Sequence, residues 1–320
     1  MLKRLALFGP QHWHTWLGLG LLRIVEPLPY GWRLAIGRAV GRLAYRLPLS
    51  YVRIARRNIE LCFPDLDAAA REKLLRLHFD DLGIGIFETA VTWWSSNERV
   101  RALAIVDGLP HLQAALAKGR GVILVGGHFT TIEIATRILG TVVPMNPLYR
   151  APKNKALAHV FESNFARYAQ RAIQHDDIRS LIRALKENSA VWYAPDQAYR
   201  KKGAAMVPFF GIPAATATAT SRLAKMTGAT VLTFFPERLP GNEGYRVTIG
   251  PPIENFPCEC PIADAQHFGA LLEAHIRKVP SQYFWVHRRF KGLSSDYPDY
   301  YGRDARVKAP LTEIPAPILK

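Results

Sequence analysis

Apolar residues are nearly continuous near the start of the chain, then fall into helical spacing, and from residue 100 onward gather into short dense runs. Trp13, Trp16, Leu17, Leu19, Leu21, Leu22, Ile24 and Val25 form the first run, which Arg23, Glu26, Pro27 and Pro29 close early. A spanning helix needs about 20 apolar residues. This run is short for a crossing and predicts a membrane-seated helix with Arg23 and Glu26 reaching the headgroup layer. A buried helix hairpin is the plainer alternative. After a turn at 27–31, positions 32–47 predict a helix with Arg38, Arg42 and Arg46 four residues apart on one face. Gly37 and Gly41 in that stretch make a small-xxx-small pair, which lets another helix approach closely. A further helix is predicted over 71–94, with Leu74, Leu75, Leu82, Ile86 and Phe87 turned inward.

Beyond it, β-branched or aromatic runs at 121–125, 141–148, 190–193, 230–235 and 245–249 alternate with helical stretches at 111–118, 131–139, 155–169, 177–187, 216–226 and 264–279. Alternation of this kind predicts an α/β fold, with a mixed, mostly buried sheet flanked by helices. The expected organisation is a basic, membrane-anchoring helical region over 1–57, an α/β domain over 58–291 and an irregular tail over 292–320. No internal repeat or low-complexity block interrupts it.

Composition narrows the class. With 320 residues, 49% apolar and 21% charged, the chain can bury a sizeable core, which excludes collagen-like, coiled-coil and disordered proteins. The net charge of +16 calls for an acidic partner: nucleic acid, an anionic membrane, or an acidic protein or substrate. Residues 1–57 carry ten basic groups against one acid, Glu26. Those arginines adjoin an apolar Trp/Leu segment instead of interleaving with exposed aromatics, which argues against nucleic acid. Cys62, Cys258 and Cys260 are an odd set, too closely spaced at 258–260 for a zinc knuckle, and fit a reducing compartment. No metal site, cofactor or cleavable signal peptide is expected.

The richest segment for chemistry is 121–133, GVILVGGHFTTIE, where a buried strand ends in Gly126 and Gly127, then His128, then a helix start. Positions five apart on a continuous helix lie about 140° from each other. His128 and Glu133 therefore meet only if the histidine sits in the strand–helix turn, where a carboxylate on one imidazole nitrogen leaves the other as a general base. The competing reading is a capping box, Thr130-x-x-Glu133, with His128 an ordinary loop residue. Arg150, Asp196 and the Glu237–Arg238 pair also follow apparent strands, the edge where α/β sheets bind ligands. Arg150 is a candidate anion or oxyanion contact, Asp196 can position Arg150 or a substrate hydroxyl, and Lys201 and Lys202 form a basic loop suited to phosphate. A surface salt bridge, a turn acid and a solvated loop are the respective alternatives. G-x-S-x-G, Walker A, G-x-G-x-x-G and H-E-x-x-H motifs are absent, so direct attack by an activated acceptor fits better than a covalent nucleophile.

Seven segments together carry a resemblance: RRNIELCFPDL (56–66), GGHFTTIE (126–133), PLYR (147–150), VWYAPDQ (191–197), VPFFG (207–211), LAKMTGA (223–229) and QYFWVHRRFK (282–291). In this order they resemble the late (secondary) acyltransferases of lipid A biosynthesis, lauroyl- and myristoyl-type, within the glycerolipid acyltransferase group with its His-x4-Asp/Glu dyad. The resemblance implies an inner-membrane enzyme with its catalytic domain on the cytoplasmic face. It would move a fatty acyl chain from acyl carrier protein to a hydroxyacyl chain of the Kdo-bearing lipid A precursor. His128 maps onto the catalytic histidine and Glu133 onto its carboxylate partner. Arg150 and Asp196 map onto the arginine and aspartate of later blocks, and Arg150 or amides near Gly127 would hold the oxyanion. The family often has glycine where Ala219 stands, and many members have an acid and a glycine where Ala198 and Arg200 stand. These departures spare the dyad and leave acceptor and acyl-chain choice open.

Overall fold

The computed structural model describes residues 6–302. Four helices come first: α1 (Trp13–Val25), α2 (Tyr30–Arg46), α3 (Ser50–Cys62) and α4 (Ala68–Trp94). Asp67 starts the long α4 by accepting the Ala70 amide at 2.7 Å, satisfying one of the amides that a helix leaves unpaired at its start. The partner of the Gly37–Gly41 pair is α4 itself. A Cβ on Gly41 would lie 1.9 Å from the Phe79 carbonyl oxygen, and one on Gly83 would lie 2.1 Å from that of Gly37. Backbone thus meets backbone, and three glycines are the condition for it.

No helix among the described residues is long and apolar enough to cross a membrane. The α1–α2 region nevertheless leaves Trp13, Leu17, Leu21, Ile24, Trp32 and Leu43 more than half exposed. Arg38, Arg42 and Arg46 stand among them; Arg42 reaches Asp80 at 3.1 Å.

The rest of the chain builds the predicted α/β arrangement. Helices α5 (Asn97–Arg101), α6 (Leu109–Leu116), α7 (Ile132–Leu139), α8 (Lys155–Phe165), α9 (Ile178–Lys186), α10 (Ala219–Thr227) and α11 (Pro261–Lys278) are interspersed with nine strands. Seven strands form one sheet: β1 (Ala104–Asp107), β2 (Val122–Val125), β3 (Met145–Tyr149), β4 (Ile173–Gln174), β5 (Ala190–Tyr193), β8 (Thr230–Arg238) and β9 (Tyr245–Pro252), in the order β1-β9-β8-β2-β5-β3-β4. All neighbours are parallel except β8 and β9, which run antiparallel. The central β2 is buried on both faces, which is why it reads as an unbroken apolar run. Ile123 and Val125 pack into a core shared with α3, α4, α9 and α11; Val122 and Leu124 pack into a second core with α6 and α7.

Some boundaries differ from the sequence reading. The helix expected over 216–226 begins only at Ala219, because Ile212–Ala217 is strand β7, paired antiparallel with β6 (Ala204–Phe209). The connection is a two-residue turn, Phe210 and Gly211, both at positive φ, the form that suits the twist of a hairpin. A strand expected from 141 begins at Met145, after a turn containing Pro144. The expected division at 57/58 falls inside α3, whose Arg57 bonds the Tyr300 carbonyl at 3.1 Å. Of the expected tail, 292–302 runs in turns with Leu293 and Tyr300 buried, and 303–320 lies outside the described residues.

Gly41→Ala forces α2 away from α4. It should lower the urea midpoint by the equivalent of about 1–3 kcal/mol, the usual cost of overpacking. Gly18→Ala, in α1 with nothing within 4 Å of the new methyl, should be neutral or stabilising. Equal midpoints for the two variants would contradict the backbone contact.

Candidate active site

Strands β2 and β5 are adjacent and parallel, with Val125 opposite Tyr193. The Gly126 amide continues the ladder by donating to the Tyr193 carbonyl at 3.0 Å. Carried three residues past that register, the two strands place His128 beside Asp196. Nδ1 of His128 lies 2.6 Å from Oδ1 of Asp196, and the His128 amide donates to Oδ2 at 2.8 Å. Both glycines before the histidine are needed for packing: a Cβ on Gly126 would sit 2.6 Å from the Phe234 carbonyl oxygen, and one on Gly127 would sit 2.7 Å from Leu272 Cδ1.

Asp196 is 3% exposed, whereas the His128 side chain is 32% exposed. Burial works to lift the Asp196 carboxylate, but the His128 charge and both His128 hydrogen bonds, with Arg289 adding to them, hold it below its usual range. Burial works to lower His128, and the Asp196 charge and hydrogen bond overcome it, so the imidazole is held above its ordinary value. With Nδ1–H donated to Asp196, Nε2 carries the lone pair, and no described residue bonds it. This is the arrangement of a general base.

Glu133 requires a correction. The expected contact with His128 is not made; the carboxylate on the imidazole is Asp196, because strand register, not the strand–helix turn, brings the acid in. Nor is the capping box formed. The Thr130 amide donates to the Gln282 carbonyl at 2.8 Å, and Thr131, the N-cap of α7, makes no side-chain cap. Glu133 is instead a carboxyl whose Oε2 is buried without a partner, and burial pushes it up to about 7.

Arg150, Lys201 and Lys202 are exposed on loops following β3 and β5 and form no side-chain hydrogen bond or ion pair with the described residues, so Arg150 is not joined to Asp196. Glu237 pairs with Arg246 at 2.9 Å. Arg238 is buried between Glu88, at 2.6 Å, and Asp81, an ion triad that ties β8 to α4. Sequence reasoning missed Tyr283, His287 and Arg289, which with His128, Asp196 and Asn58 line a cavity of about 10 Å³, room for one water. Their signal was the dense QYFWVHRRFK segment, whose spacing alone gives no partner. Among the described residues, no group of three or more His, Cys, Asp or Glu side chains is placed to hold a metal.

Residues 3–292 match the sequence pattern of the bacterial lipid A biosynthesis acyltransferases. The chain belongs to this family. It is 36% identical to the lipid A biosynthesis lauroyltransferase of Escherichia coli K12 over 301 residues, covering 92% of this chain and 97% of the relative. It is 37% identical to the lipid A biosynthesis palmitoleoyltransferase of the same organism over 283 residues, 88% of this chain and 92% of the relative. A lipid A biosynthesis acyltransferase of Haemophilus influenzae is 35% identical over 287 residues, 88% of this chain and 92% of the relative. The protein is therefore an acyltransferase, and the general-base geometry at His128 is chemistry that such an enzyme can use.

Two measurements follow. Histidine NMR titration should place His128 above 6.5 in the wild type and below it in Asp196→Asn, where burial is left unopposed. An unchanged titration would remove Asp196 as the cause. For Glu133, the unfolded chain ionises near 4.5 and the folded one near 7, so folding stability falls as pH rises between those values and then levels. Glu133→Gln lacks this loss. Its stability relative to wild type in urea unfolding should rise from pH 4 to pH 8; a constant difference would mean the carboxyl is not held neutral.

Proposed function

We propose that the protein transfers a fatty acyl chain, of lauroyl type, from acyl carrier protein to a hydroxyacyl chain of the Kdo-bearing lipid A precursor. The observation that carries the reading is the His128–Asp196 pair at the carboxyl edge of the sheet of a lipid A acyltransferase. Nε2 of His128 takes the proton of the acceptor hydroxyl as its oxygen attacks the thioester carbonyl. Asp196 stabilises the imidazolium that results. The tetrahedral intermediate then breaks its C–S bond, and the departing carrier thiolate receives the proton from His128. Acceptor and donor react in one ternary complex, with no acyl-enzyme.

Of the three amides in the turn, that of Gly126 is held by Tyr193 and that of His128 by Asp196. The Gly127 amide has no partner among the described residues, which suits it to hold the oxyanion. Glu133 makes no contact with the imidazole, and burial raises its carboxyl to about 7. The exposed Arg150, Lys201 and Lys202 would meet the phosphates and carboxylates of the acceptor, and the net positive charge would steer an acidic carrier protein.

The exposed Trp13, Leu17, Leu21, Ile24, Trp32 and Leu43 with their neighbouring arginines seat the enzyme on the anionic inner membrane, catalytic domain on the cytoplasmic side. The test is transfer in vitro with acyl carrier protein loaded with several chain lengths, the Kdo-bearing tetra-acylated precursor, and mass spectrometry of the product. One added chain, dodecanoyl in preference to longer ones, is expected from the wild type and none from His128→Ala. Product only from acyl-CoA, or only on another glycolipid or lysophospholipid, would replace donor or acceptor in this reading.

A further inference from the structure

We propose that the segment 282–289 is the third wall of the catalytic centre and that Tyr283 is a positioning residue, its phenol fixing the Asp196 carboxylate on His128. The inference rests on the acyl transfer proposed above and adds to it a residue that orients the base. Far along the chain from both catalytic residues, this segment lies across them as a strap. The Thr130 amide donates to the Gln282 carbonyl at 2.8 Å, and the Phe284 amide donates to the His128 carbonyl at 2.9 Å, a short antiparallel bridge centred on Phe129 and Tyr283. On the acid's side, the Tyr283 hydroxyl donates to Asp196 Oδ2 at 3.0 Å, and the Ala198 amide donates to His287 Nε2 at 3.1 Å. One strap therefore holds the turn that carries the base and the loop that carries its acid.

The phenol's contribution follows from the bond count at Asp196. Oδ1 faces the imidazole, while Oδ2 takes both the His128 amide and the Tyr283 hydroxyl. A carboxylate gripped at one oxygen by two donors cannot turn about its Cβ–Cγ bond without losing them, so Oδ1 stays on Nδ1. Without the phenol one grip remains.

The strap is itself rigidly held. Asn58 of α3 donates to the carbonyls of Trp285 and His287 at 2.6 and 2.7 Å, and its own carbonyl accepts from the Tyr301 hydroxyl at 2.6 Å. Arg289 is buried on the Ala215 carbonyl and the Thr216 hydroxyl, at 2.9 and 2.7 Å. The Tyr283 ring packs among Phe129, Phe209 and Trp285 and is 4% exposed, so removing its hydroxyl alone leaves the packing in place.

The other charged or titratable groups facing the pair are Arg289, which lowers Asp196, and His287, which burial pushes down to about 4 and keeps neutral. The phenol spreads part of the Asp196 charge onto its own O–H. Its removal concentrates that charge on His128 and holds the imidazolium more strongly.

The test measures kcat, KM and the acid limb of the pH profile for wild type, Tyr283→Phe and the full chain with 3-fluorotyrosine at 283. A hydrogen bond to a charged group contributes about 1.5–3 kcal/mol, so kcat of Tyr283→Phe should fall on the order of tenfold or more with KM unchanged, and its acid limb should move to higher pH. The fluorinated phenol is a stronger donor and should move the limb to lower pH. A merely structural tyrosine moves neither, and an unmoved kcat and limb in Tyr283→Phe, or a shift in the same direction for both replacements, overturns the proposal. If Tyr283→Phe does not fold, an unmoved limb in the fluorinated protein overturns it alone. A wild type that makes no product refutes the acyl-transfer reading instead, and the His128 titration by NMR in the same proteins then decides Tyr283 without turnover.

Discussion

The structure depends on one register. With Val125 opposite Tyr193, two neighbouring parallel strands end level, and residues three positions beyond each end come within hydrogen-bond distance. A one-residue slip in that pairing would turn each side chain of β5 to the opposite face and remove Asp196 from His128. The alternating apolar residues of β2 and β5, divided between two cores, fix the register so firmly that the His128–Asp196 contact follows from ordinary packing. The two glycines belong to the same constraint. They are small because β8 and α11 press against the turn from two sides, leaving its backbone little freedom to move.

The acid on the base could not be read from spacing within one segment. His128 and Glu133 are five residues apart and invite pairing, while His128 and Asp196 are 68 apart and meet only through the sheet. Local pattern carried far elsewhere: it marked the dense strands, the Gly37–Gly41 pair as a place of close helix approach, and the presence of His128 and Asp196 on strand ends. It failed at the β6–β7 hairpin, where Ala and Thr residues with good helical neighbours are drawn into strand by pairing through the Phe210–Gly211 turn. Tyr283 was equally hidden, since its relation to Asp196 exists only once the strap crosses the sheet edge.

The membership shown by sequence comparison and the geometry of the site are independent supports. The comparison names a family of acyltransferases. The geometry supplies an imidazole that is oriented, partly accessible and raised in basicity, beside a turn whose Gly127 amide has no partner among the described residues.

The contact between α2 and α4 reaches further than its own stability. Helix α4 touches the surroundings of the His128–Asp196 pair twice, through His78, whose Nδ1 lies 2.9 Å from the Ser281 carbonyl at the head of the strap, and through Gly85, packed on the Thr130 carbonyl. It is locked to β8 by the Arg238 triad as well. From α2 to the turn that carries His128, contact thus runs through the glycine packing of α2 on α4 and of Gly85 on the Thr130 carbonyl, with the His78–Ser281 hydrogen bond beside it. The N-terminal helices therefore serve as a strut for the sheet edge. If their exposed apolar face is the one that meets a membrane, as proposed, Nε2 of His128 would sit at a set height above it, and that height would select the acceptor hydroxyl within reach.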